Sequence, residues 1–511
     1  MNLDNKSVSI NNEGVYTLSG SINNGSIVVD TSGDVKLILN NVNITNDSGP
    51  AIIVEEANNV VIELYDGSIN ILEDGDKYSN SEYDGCIYSA DDLVLQGNGT
   101  LKVISNYLDG IVSNDDLKIV SGTYIIDSTD DGVRGKDSVY IINGDFTINS
   151  EADGIKSTND TDNTKGFINI DSGKFKINSG EDGIQAETKL IINGGNFEIE
   201  TSSGSETNGS AMDKYFGGGS YYDDTSSKGL KAGDNLVIKD GNFKINSKDD
   251  SIHSNNYVGI NSGTFSISSG DDGIHADYDI IIDNGNIEIL KSYEGIEASN
   301  IKINDGNIKI IANDDGINIS GGNDSSSMNG RPGANHFASS GGELIVNGGK
   351  IHVNANGDGL DANGSIIINN GELYVDGPID NGNGPLDYDV TFDINGGKFI
   401  AVGSSGMAQN ASDSSKQYSV MFYLNNTYDG GKISLSDSSG NKIFEYTASK
   451  KFQSIIISSA ELKKDNSYKL EIDNREIDKI MISDITNSNG FGGFGGSHMG
   501  GGGQRPRPGM R

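Results

Sequence analysis

Acidic residues recur in this sequence at a spacing that could form a line of metal ligands. With Asp272 taken as position 0, the same sequence frame restarts after 21 or 22 residues, or later where an insertion intervenes. The position-0 residues, nearly all acidic, are Asp84, Asp109, Asp131, Asp153, Asp182, Lys228, Asp250, Asp272, Glu294, Asp315 and Asp358. Five frames carry a second acid directly before position 0, namely Asp130, Glu181, Asp249, Asp271 and Asp314. Repetition at a fixed period is typical of a solenoid, in which equivalent positions stack.

Stacked carboxylates repel one another, and a metal ion would remove that repulsion. Equivalent positions on neighbouring strands lie about 4.8 Å apart, where two unit charges repel by roughly 3 to 4 kcal/mol at an effective dielectric constant of ~20. Calcium binds about 6 to 8 oxygen atoms, so one ion between two coils could reach carboxylates on both. We therefore predict calcium as a cofactor. The predicted metal ligands are Asp130, Asp131, Asp153, Glu181, Asp182, Asp249, Asp250, Asp271, Asp272, Glu294, Asp314 and Asp315.

One alternative to metal binding stays open for these acids, and one position in the line is not an acid. Each Asp-Gly pair could simply make a turn, with Asp bonding its own backbone and Gly taking a positive φ. Lys228 stands within the line and is expected to supply its own positive charge in place of an ion.

The residues three places after position 0 form a second polar line, expected to point outward beside the acids. Arg134, Lys156, His253 and His275 are the predicted carbohydrate-binding residues of this line, because cations there could hold an acidic sugar whose carboxylate calcium also bridges. The alternative for each of them is a solvated surface. A lyase would instead use Lys156 or Arg134 to remove the proton α to a uronate carboxylate. A zinc site at the two histidines lacks its other ligands.

An insertion at about 201 to 227 carries the densest group of aromatic residues expected on the surface. Sugar-binding surfaces usually contain aromatic side chains, and this chain has no Trp. We predict that Tyr215, Tyr221 and Tyr222, beside Phe216, form a carbohydrate platform, against the alternative of an inserted loop with scattered tyrosines. A second insertion covers about 320 to 341. The sequence has no phosphate-binding loop, dinucleotide fingerprint or nucleophile motif.

The elements that must position these residues are short strands. Within each frame, apolar residues alternate with polar ones in three runs separated by Gly, Asn or Asp, and a period of two indicates strands. A leucine-rich repeat would need Leu at fixed offsets, and nine-residue calcium-binding repeats do not fit the period. We predict an all-β protein, a right-handed parallel β-helix of about 22 residues per turn with a small C-terminal antiparallel β unit.

The sequence divides into three predicted parts. Residues 1–403 are the parallel β-helix, and residues 404–487 form a C-terminal β-strand cap, because the 22-residue frame is lost after Val402 while strand-like alternation continues. Residues 488–511 are rich in Gly and end with three Arg, so we expect a disordered tail.

The composition limits the partners. A net charge of −37 argues against nucleic acid and against an anionic membrane, and it favours cations. The one cysteine, Cys86, excludes an intrachain disulfide and is expected to be a buried thiol. No apolar run approaches the ~18 residues of a transmembrane segment, and residues 1–10 show no apolar signal core. We expect a monomer.

Several stretches together resemble the clostridial carbohydrate-binding β-helix proteins. They are YTLSGSI, LILNNVNIT, AIIVEEANNVVIELYDGSINILED, the repeated DGI units and SIIISSAELKKDNSYKLEID. The resemblance implies an extracellular or cell-surface protein, related in shape to polysaccharide lyases, that binds cellulose and pectin-like acidic polysaccharides with calcium. The prediction is therefore a calcium-binding polysaccharide-binding protein. The alternatives are a lyase acting on polygalacturonate and a structural surface or adhesion protein.

Overall fold

The computed structural model describes residues 1–205, 226–320 and 341–490, and all regular structure in these ranges is β. Within them, no helix is long and apolar enough to span a membrane. The strands up to residue 128 are β1 (Asn2–Asp4), β2 (Val8–Ile10), β3 (Gly14–Asn23), β4 (Ile27–Asp30), β5 (Asp34–Asn46), β6 (Ile52–Glu56), β7 (Asn59–Leu64), β8 (Ile69–Asp74), β9 (Gly85–Ser89), β10 (Leu93–Gly97), β11 (Thr100–Ser105), β12 (Asp109–Ser113), β13 (Asp116–Ile119) and β14 (Thr123–Ser128).

The regular repeats continue with β15 (Val133–Gly135), β16 (Ser138–Ile141), β17 (Asp145–Ser150), β18 (Ile155–Ser157), β19 (Phe167–Ile170), β20 (Lys174–Ser179), β21 (Ile184–Ala186), β22 (Lys189–Ile192), β23 (Asn196–Thr201), β24 (Leu230–Ala232), β25 (Asn235–Ile238), β26 (Asn242–Ser247), β27 (Ile252–Ser254), β28 (Tyr257–Ile260), β29 (Thr264–Ser269), β30 (Ile274–Ile282), β31 (Asn286–Lys291), β32 (Ile296–Ile303), β33 (Asn307–Ala312) and β34 (Ile317–Ile319).

The remaining strands are β35 (Glu343–Val346), β36 (Lys350–Ala355), β37 (Leu360–Ala362), β38 (Ser365–Ile368), β39 (Glu372–Asp376), β40 (Asp387–Tyr388), β41 (Thr391–Ile394), β42 (Lys398–Gly403), β43 (Ser419–Tyr428), β44 (Gly431–Asp437), β45 (Lys442–Ala448), β46 (Phe452–Ser459), β47 (Ser467–Ile472), β48 (Arg475–Met481) and β49 (Thr486–Ser488).

Most regular coils contribute three strands, each paired in parallel with its equivalent in the next coil, and in β30 and β32 the first and second strands are continuous. The first strands pair in the order β12, β15, β18, β21, β24 and β27, and the third strands in the order β14, β17, β20, β23, β26 and β29. In the register of the first strands, Val133 lies between Ile111 and Ile155. The predicted all-β, parallel architecture is confirmed and is consistent with a β-helix. Its right-handed sense and a uniform turn of about 22 residues stay predictions.

The core lies inside the coils because the strands alternate strictly. In β20, Phe175 and Ile177 are buried while Lys174 and Lys176 are exposed. Because register is kept from coil to coil, equal side chains stack in the core, and six aromatic rings form one continuous column. Adjacent ring centroids lie 4.6 to 5.0 Å apart in this column, which contains Tyr124, Phe146, Phe175, Phe197, Phe243 and Phe265. Cys86 is buried and unpaired, as predicted.

Glycine is required where the chain turns beneath this aromatic column. Gly173 has a φ of 139°, and a Cβ atom there would lie 2.9 Å from both the Gly144 carbonyl oxygen and the Phe175 ring. The turn therefore needs glycine for its backbone conformation and for the space it leaves to the ring.

The parallel arrangement ends at β42. This strand pairs in parallel with β39 on one edge and antiparallel with β46 on the other. A separate four-stranded antiparallel sheet follows in the order β45, β44, β47 and β48. The predicted boundaries at residues 403 and 487 stay predictions, and most of the predicted tail, residues 491–511, lies outside the described residues.

Replacement of Phe175 by Ala should destabilise the coils, because it removes one ring from the middle of the column. We expect the free energy of unfolding to fall by about 3 to 5 kcal/mol, measured by urea denaturation. Lys176→Ala, on the exposed face of the same strand, should change it by at most about 0.5 kcal/mol. Equal effects of the two substitutions would contradict the column as a source of stability.

Candidate functional site

The position-0 acids do stack, and we call this row the acidic ladder. For most of these acids, one carboxylate oxygen accepts a hydrogen bond from the backbone N–H of position 0 in the next coil. Asp109 Oδ1 accepts from Asp131 N at 3.0 Å, and Asp131 Oδ1 accepts from Asp153 N at 3.0 Å. The same bond recurs from Asp272 N to Asp250 Oδ1 at 2.9 Å. These acids therefore join successive coils and do not bond their own backbone, and Gly132 and Gly154, which follow Asp131 and Asp153, are not among the glycines with a positive φ, so the turn alternative does not describe these positions.

The second carboxylate oxygen faces the residue at position +3. For the acids from Asp109 to Asp182 this residue is a cation, which belongs to the acid's own coil for Lys156 and Asp153 and to the next coil for Arg134 and Lys231. Arg134 Nε lies 2.6 Å from Asp109 Oδ2, and Arg134 also pairs with Asp84. Lys156 Nζ lies 2.7 Å from Asp153 Oδ2. Lys231 Nζ lies 3.0 Å from Asp182 Oδ2. The carboxylates in this part of the ladder are thus paired with cations of the protein itself.

The cations at position +3 turn back onto the ladder, which differs from the outward polar line expected from the sequence. His253 Nδ1 lies 2.8 Å from Asp250 Oδ2, and His275 Nδ1 lies 3.1 Å from Asp272 Oδ2. The two histidine rings stack at 5.0 Å and are only 1% and 0% exposed. Their role in carbohydrate binding, with that of Arg134 and Lys156, stays a prediction, but buried rings offer little surface to a polymer.

Lys156 is held in its charged form. Burial acts to lower its pKa, but the nearby carboxylates of Asp153 and Asp131 outweigh burial and raise that pKa above its ordinary value. The same balance raises the pKa of Arg134 beside Asp109 and Asp84. A general base must be neutral to accept a proton, so neither side chain has the electrostatic setting of a base.

Lys228 occupies position 0 itself and takes the place expected of an ion. Its side chain is 3% exposed, and Nζ lies 2.9 Å from Asp249 Oδ2 and 2.8 Å from Asp250 Oδ2. Burial acts to raise the pKa of Asp250, but Lys228 and His253 bring it well below its ordinary value. Asp249, Asp250 and Asp271 lie close enough together to hold a metal ion, and Lys228 pairs with the first two of them.

The ladder changes character after Asp272. At position +3 the cations give way to Glu297, Asn318 and Asp361. Oxygen atoms of Asp315, Asp358 and Asp361 lie within 4.8 Å of one another, and we call these residues the acid trio. In the described residues, no Lys, Arg or His forms an ion pair with any of the three.

Desolvation and mutual repulsion act on the acid trio without a balancing cation. Burial, reinforced by Asp358, raises the pKa of Asp361 to about 7. Burial, partly opposed by the Gly384 backbone N–H, raises that of Asp358 to about 7. Burial also raises the pKa of Asp153 to about 7, despite Lys156. The two parts of the ladder therefore differ in their partners rather than in desolvation.

A buried amide oxygen adds a fourth potential ligand beside the acid trio. Asn318 is 6% exposed and lies beside Asp361 in the register of the first strands. Its Nδ2 donates to Glu294 Oε2 at 2.7 Å, while its Oδ1 has no hydrogen-bond partner among the described residues. An unpartnered buried carbonyl oxygen is costly unless it gains a donor or a cation.

The predicted metal ligands fall into different settings. Asp130 and Asp131 lie with Asp109 in one group, and a further group contains Asp272, His275 and Glu297. Asp153 and Asp182 pair with lysines, and Glu181 and Asp314 lie outside the groups found in the described residues. Only Asp315 of the predicted set belongs to the trio. The sequence prediction missed Asp358, Asp361 and Asn318, although the change of residue type at position +3 is visible in the sequence.

The predicted aromatic platform, Tyr215, Tyr221 and Tyr222, lies outside the described residues. The described chain resumes next to the acidic ladder, where Ser226 Oγ donates to Asp182 Oδ1 at 2.7 Å and accepts from Lys231 Nζ at 3.0 Å. The insertion therefore rejoins the coil at the ladder.

Replacement of Lys228 by Met should leave Asp249 without its lysine, and Asp250 with His253 alone, at nearly unchanged side-chain volume. We expect the free energy of unfolding to fall by about 3 to 5 kcal/mol, because a buried carboxylate loses its partner. Lys244→Met is the control, because Lys244 pairs with Glu198 at 2.7 Å on the exposed surface, where such a pair contributes about 0 to 1 kcal/mol. Urea denaturation of both variants tests this, and similar losses would refute the ladder's dependence on buried cations.

Comparison with known proteins places this chain in a family. A carbohydrate-binding domain-containing protein of Acetivibrio thermocellus is 38% identical over 133 residues, which is 25% of this chain and 46% of that relative, so the match spans about half of the relative's length. A solved structure of a polysaccharide lyase-like protein from C. thermocellum, a gadolinium derivative, is 36% identical with a TM-score of 0.38, covering 39% of this chain and 84% of that chain. The family profile described as carbohydrate-binding domain-containing protein matches residues 4–273 and 271–463. Since these two matches cover most of the sequence, the chain belongs to the family of carbohydrate-binding domain-containing proteins.

Proposed function

We propose that this protein binds acidic cell-wall polysaccharides and that calcium, held at the C-terminal end of the acidic ladder, takes part in this binding. Membership in the family of carbohydrate-binding domain-containing proteins supports a carbohydrate as the ligand. The main observation in support of a metal site is the acid trio. Its carboxylates lie within 4.8 Å of one another and form no ion pair with the cations of the described chain.

The donor atoms of this site suit a hard cation. The acid trio and Asn318 offer carboxylate and amide oxygens, which are the ligands that calcium prefers. The unpartnered Oδ1 of Asn318 would gain a partner from a bound ion. The acids from Asp109 to Asp182 already pair with arginine or lysine at position +3. We therefore propose calcium first at the acid trio, and not evenly along the ladder.

An acidic polymer fits a calcium ion that is bound near the surface of a long coil. A calcium ion whose ligand shell is completed by a uronate carboxylate would join protein and sugar directly. Repeated weak contacts along one polymer raise retention without any single strong site. Pectin-like acidic polymers, together with cellulose as a neutral candidate, are the proposed ligands, the extracellular space or cell surface is the proposed location, and a monomer is the proposed state.

The proposed activity is binding without cleavage. The two candidate bases, Lys156 and Arg134, are engaged in ion pairs that favour their protonated forms. Proton removal α to a uronate carboxylate requires a neutral base at that place. This electrostatic setting supports binding over lyase chemistry.

Calcium should stabilise the folded protein through the acid trio. At about pH 8, where carboxyl groups with a pKa of about 7 are ionised, calcium at 100 times its dissociation constant should add about 2.7 kcal/mol. The double variant Asp358→Asn/Asp361→Asn should lose this calcium shift and should melt higher than the unsubstituted protein in chelator, because it removes repulsion.

The matched control for that experiment is Asp145→Asn/Asp429→Asn. It changes the charge equally, at side chains that are 54% and 85% exposed. The control should keep the full calcium shift in melting temperature. Loss of the shift in the control, or its persistence in the Asp358/Asp361 variant, would rule out the acid trio as the calcium site.

The protein should be retained on insoluble polygalacturonate with calcium, and chelator should weaken this retention. Incubation with soluble polygalacturonate and calcium should produce no steady rise in the ultraviolet absorbance of unsaturated uronides. Steady product formation that Lys156→Ala abolishes would establish the lyase alternative instead. Absence of retention on polygalacturonate and on cellulose would leave the structural or adhesion alternative.

A further inference from the structure

A second candidate site lies where the coils meet the C-terminal antiparallel sheet. A cleft of about 490 Å³ opens there, within the range of about 300 to 1,000 Å³ that is usual for small ligands. We call it the lysine-tyrosine cleft. Its charged and aromatic lining residues are Lys309, Lys350, His352, Tyr374, Lys432, Glu445 and Tyr446.

The coil side of the cleft is built by the outer faces of β33, β36 and β39. In the parallel register, Lys309 lies beside His352, and His352 lies beside Tyr374. The antiparallel sheet contributes the opposite side through β44 and β45. Tyr446 of that sheet stacks on Tyr374 with ring centroids 5.4 Å apart and an angle of 14° between the rings. The aromatic part of the cleft is therefore formed only when the two units dock.

Hydrogen bonds fix this aromatic pair in place. Asp376 is fully buried, and its Oδ1 accepts from Tyr446 Oη at 2.8 Å. Its Oδ2 accepts from the backbone N–H of Ser449 at 3.2 Å. His352 Nε2 lies 3.0 Å from Tyr446 Oη. A wall whose rings are held by several bonds loses little freedom when a ligand binds.

The charge of the cleft is opposite to that of the whole chain. The protein has a net charge of −37, yet three lysines and only one acid, Glu445, line this opening. Lys350 Nζ lies 5.9 Å from the centre of the Tyr374 ring and forms no ion pair among the described residues. Lys309 and Lys432 pair with Glu288 at 3.4 Å and Glu445 at 2.9 Å, both on the exposed surface. Exposed pairs of this kind are weak, so these lysines are available to an anionic ligand.

We propose that the lysine-tyrosine cleft binds a sugar that carries a carboxylate, such as one unit of a uronate oligosaccharide. Lys350 holds the carboxylate through a charge-assisted hydrogen bond, and Lys309 and Lys432 attract the anion from the rim. The sugar ring packs against the side formed by Tyr374 and Tyr446, because aromatic side chains combine a large apolar area with a polar edge. This inference rests on the proposed function and adds a second site to it.

The cleft and the acidic ladder recognise the same class of sugar by different chemistry. The ladder needs a calcium ion between two sets of carboxylates, whereas the cleft offers ammonium groups directly. Binding in the cleft is therefore independent of calcium. This difference separates the two sites experimentally.

Calorimetric titration with trigalacturonate in the presence of chelator tests the cleft. The unsubstituted protein should bind, and Lys350→Ala should weaken binding about tenfold or more through loss of a charge-assisted bond. Lys118→Ala is the matched control, because Lys118 Nζ also lies 5.9 Å from a tyrosine ring, that of Tyr140, away from the cleft. The control should bind as the unsubstituted protein does, and Lys350→Arg should retain most of the affinity. Cellotriose, which has no carboxylate, should bind at least about tenfold more weakly.

Several results would overturn the proposal that the cleft binds a uronate. They are absence of trigalacturonate binding in chelator, unchanged affinity of Lys350→Ala at an unchanged melting temperature, an equal loss in Lys118→Ala, or equal affinity for cellotriose. Calcium-dependent retention on polygalacturonate is measured separately, so the proposed function stands if only the cleft fails. If retention fails but trigalacturonate binds through Lys350, the cleft stands and the ladder loses its role in binding.

Discussion

Backbone pairing between coils is the constraint on which the rest of this structure depends. Each strand bonds to its equivalent in the next coil, which places equal positions about 4.8 Å apart. Any residue type that repeats in the sequence must therefore pack against itself. For phenylalanine this contact is favourable, and the column that contains Phe146 and Phe175 stacks at 4.9 Å. For aspartate the same contact is repulsive.

The acidic ladder shows how a repeating acid can be accommodated. One oxygen of most of these acids bonds the backbone N–H of the next coil, which satisfies a donor that a turn would otherwise leave open. The other oxygen needs a positive charge, and the chain supplies it from position +3 with Arg134 and Lys156, and from position 0 with Lys228. These cations of the chain end before Asp315, so a cation from solution would meet the least competition from the protein at that position.

The two candidate sites contain side chains of opposite charge, yet each would present a positive charge to an acidic sugar. Calcium at the acid trio would present a positive charge through an ion, while the cleft presents lysines that belong to the chain. The sites lie on different parts of the coil, the ladder at the corner before the first strands and the cleft on the outer face of the third strands.

Much of this could be predicted from the sequence because it is local and repeated. The alternation of apolar residues determined the strands, and the fixed period determined that position-0 acids such as Asp131 and Asp153 would stack. The tertiary structure decided where the second carboxylate oxygen points and that His253 and His275 turn inward. Those outcomes depend on side-chain packing, which periodicity does not encode. The tertiary structure also formed the cleft. Tyr374 belongs to the repeated coils and Tyr446 to the antiparallel sheet, so their contact exists only because the two units dock.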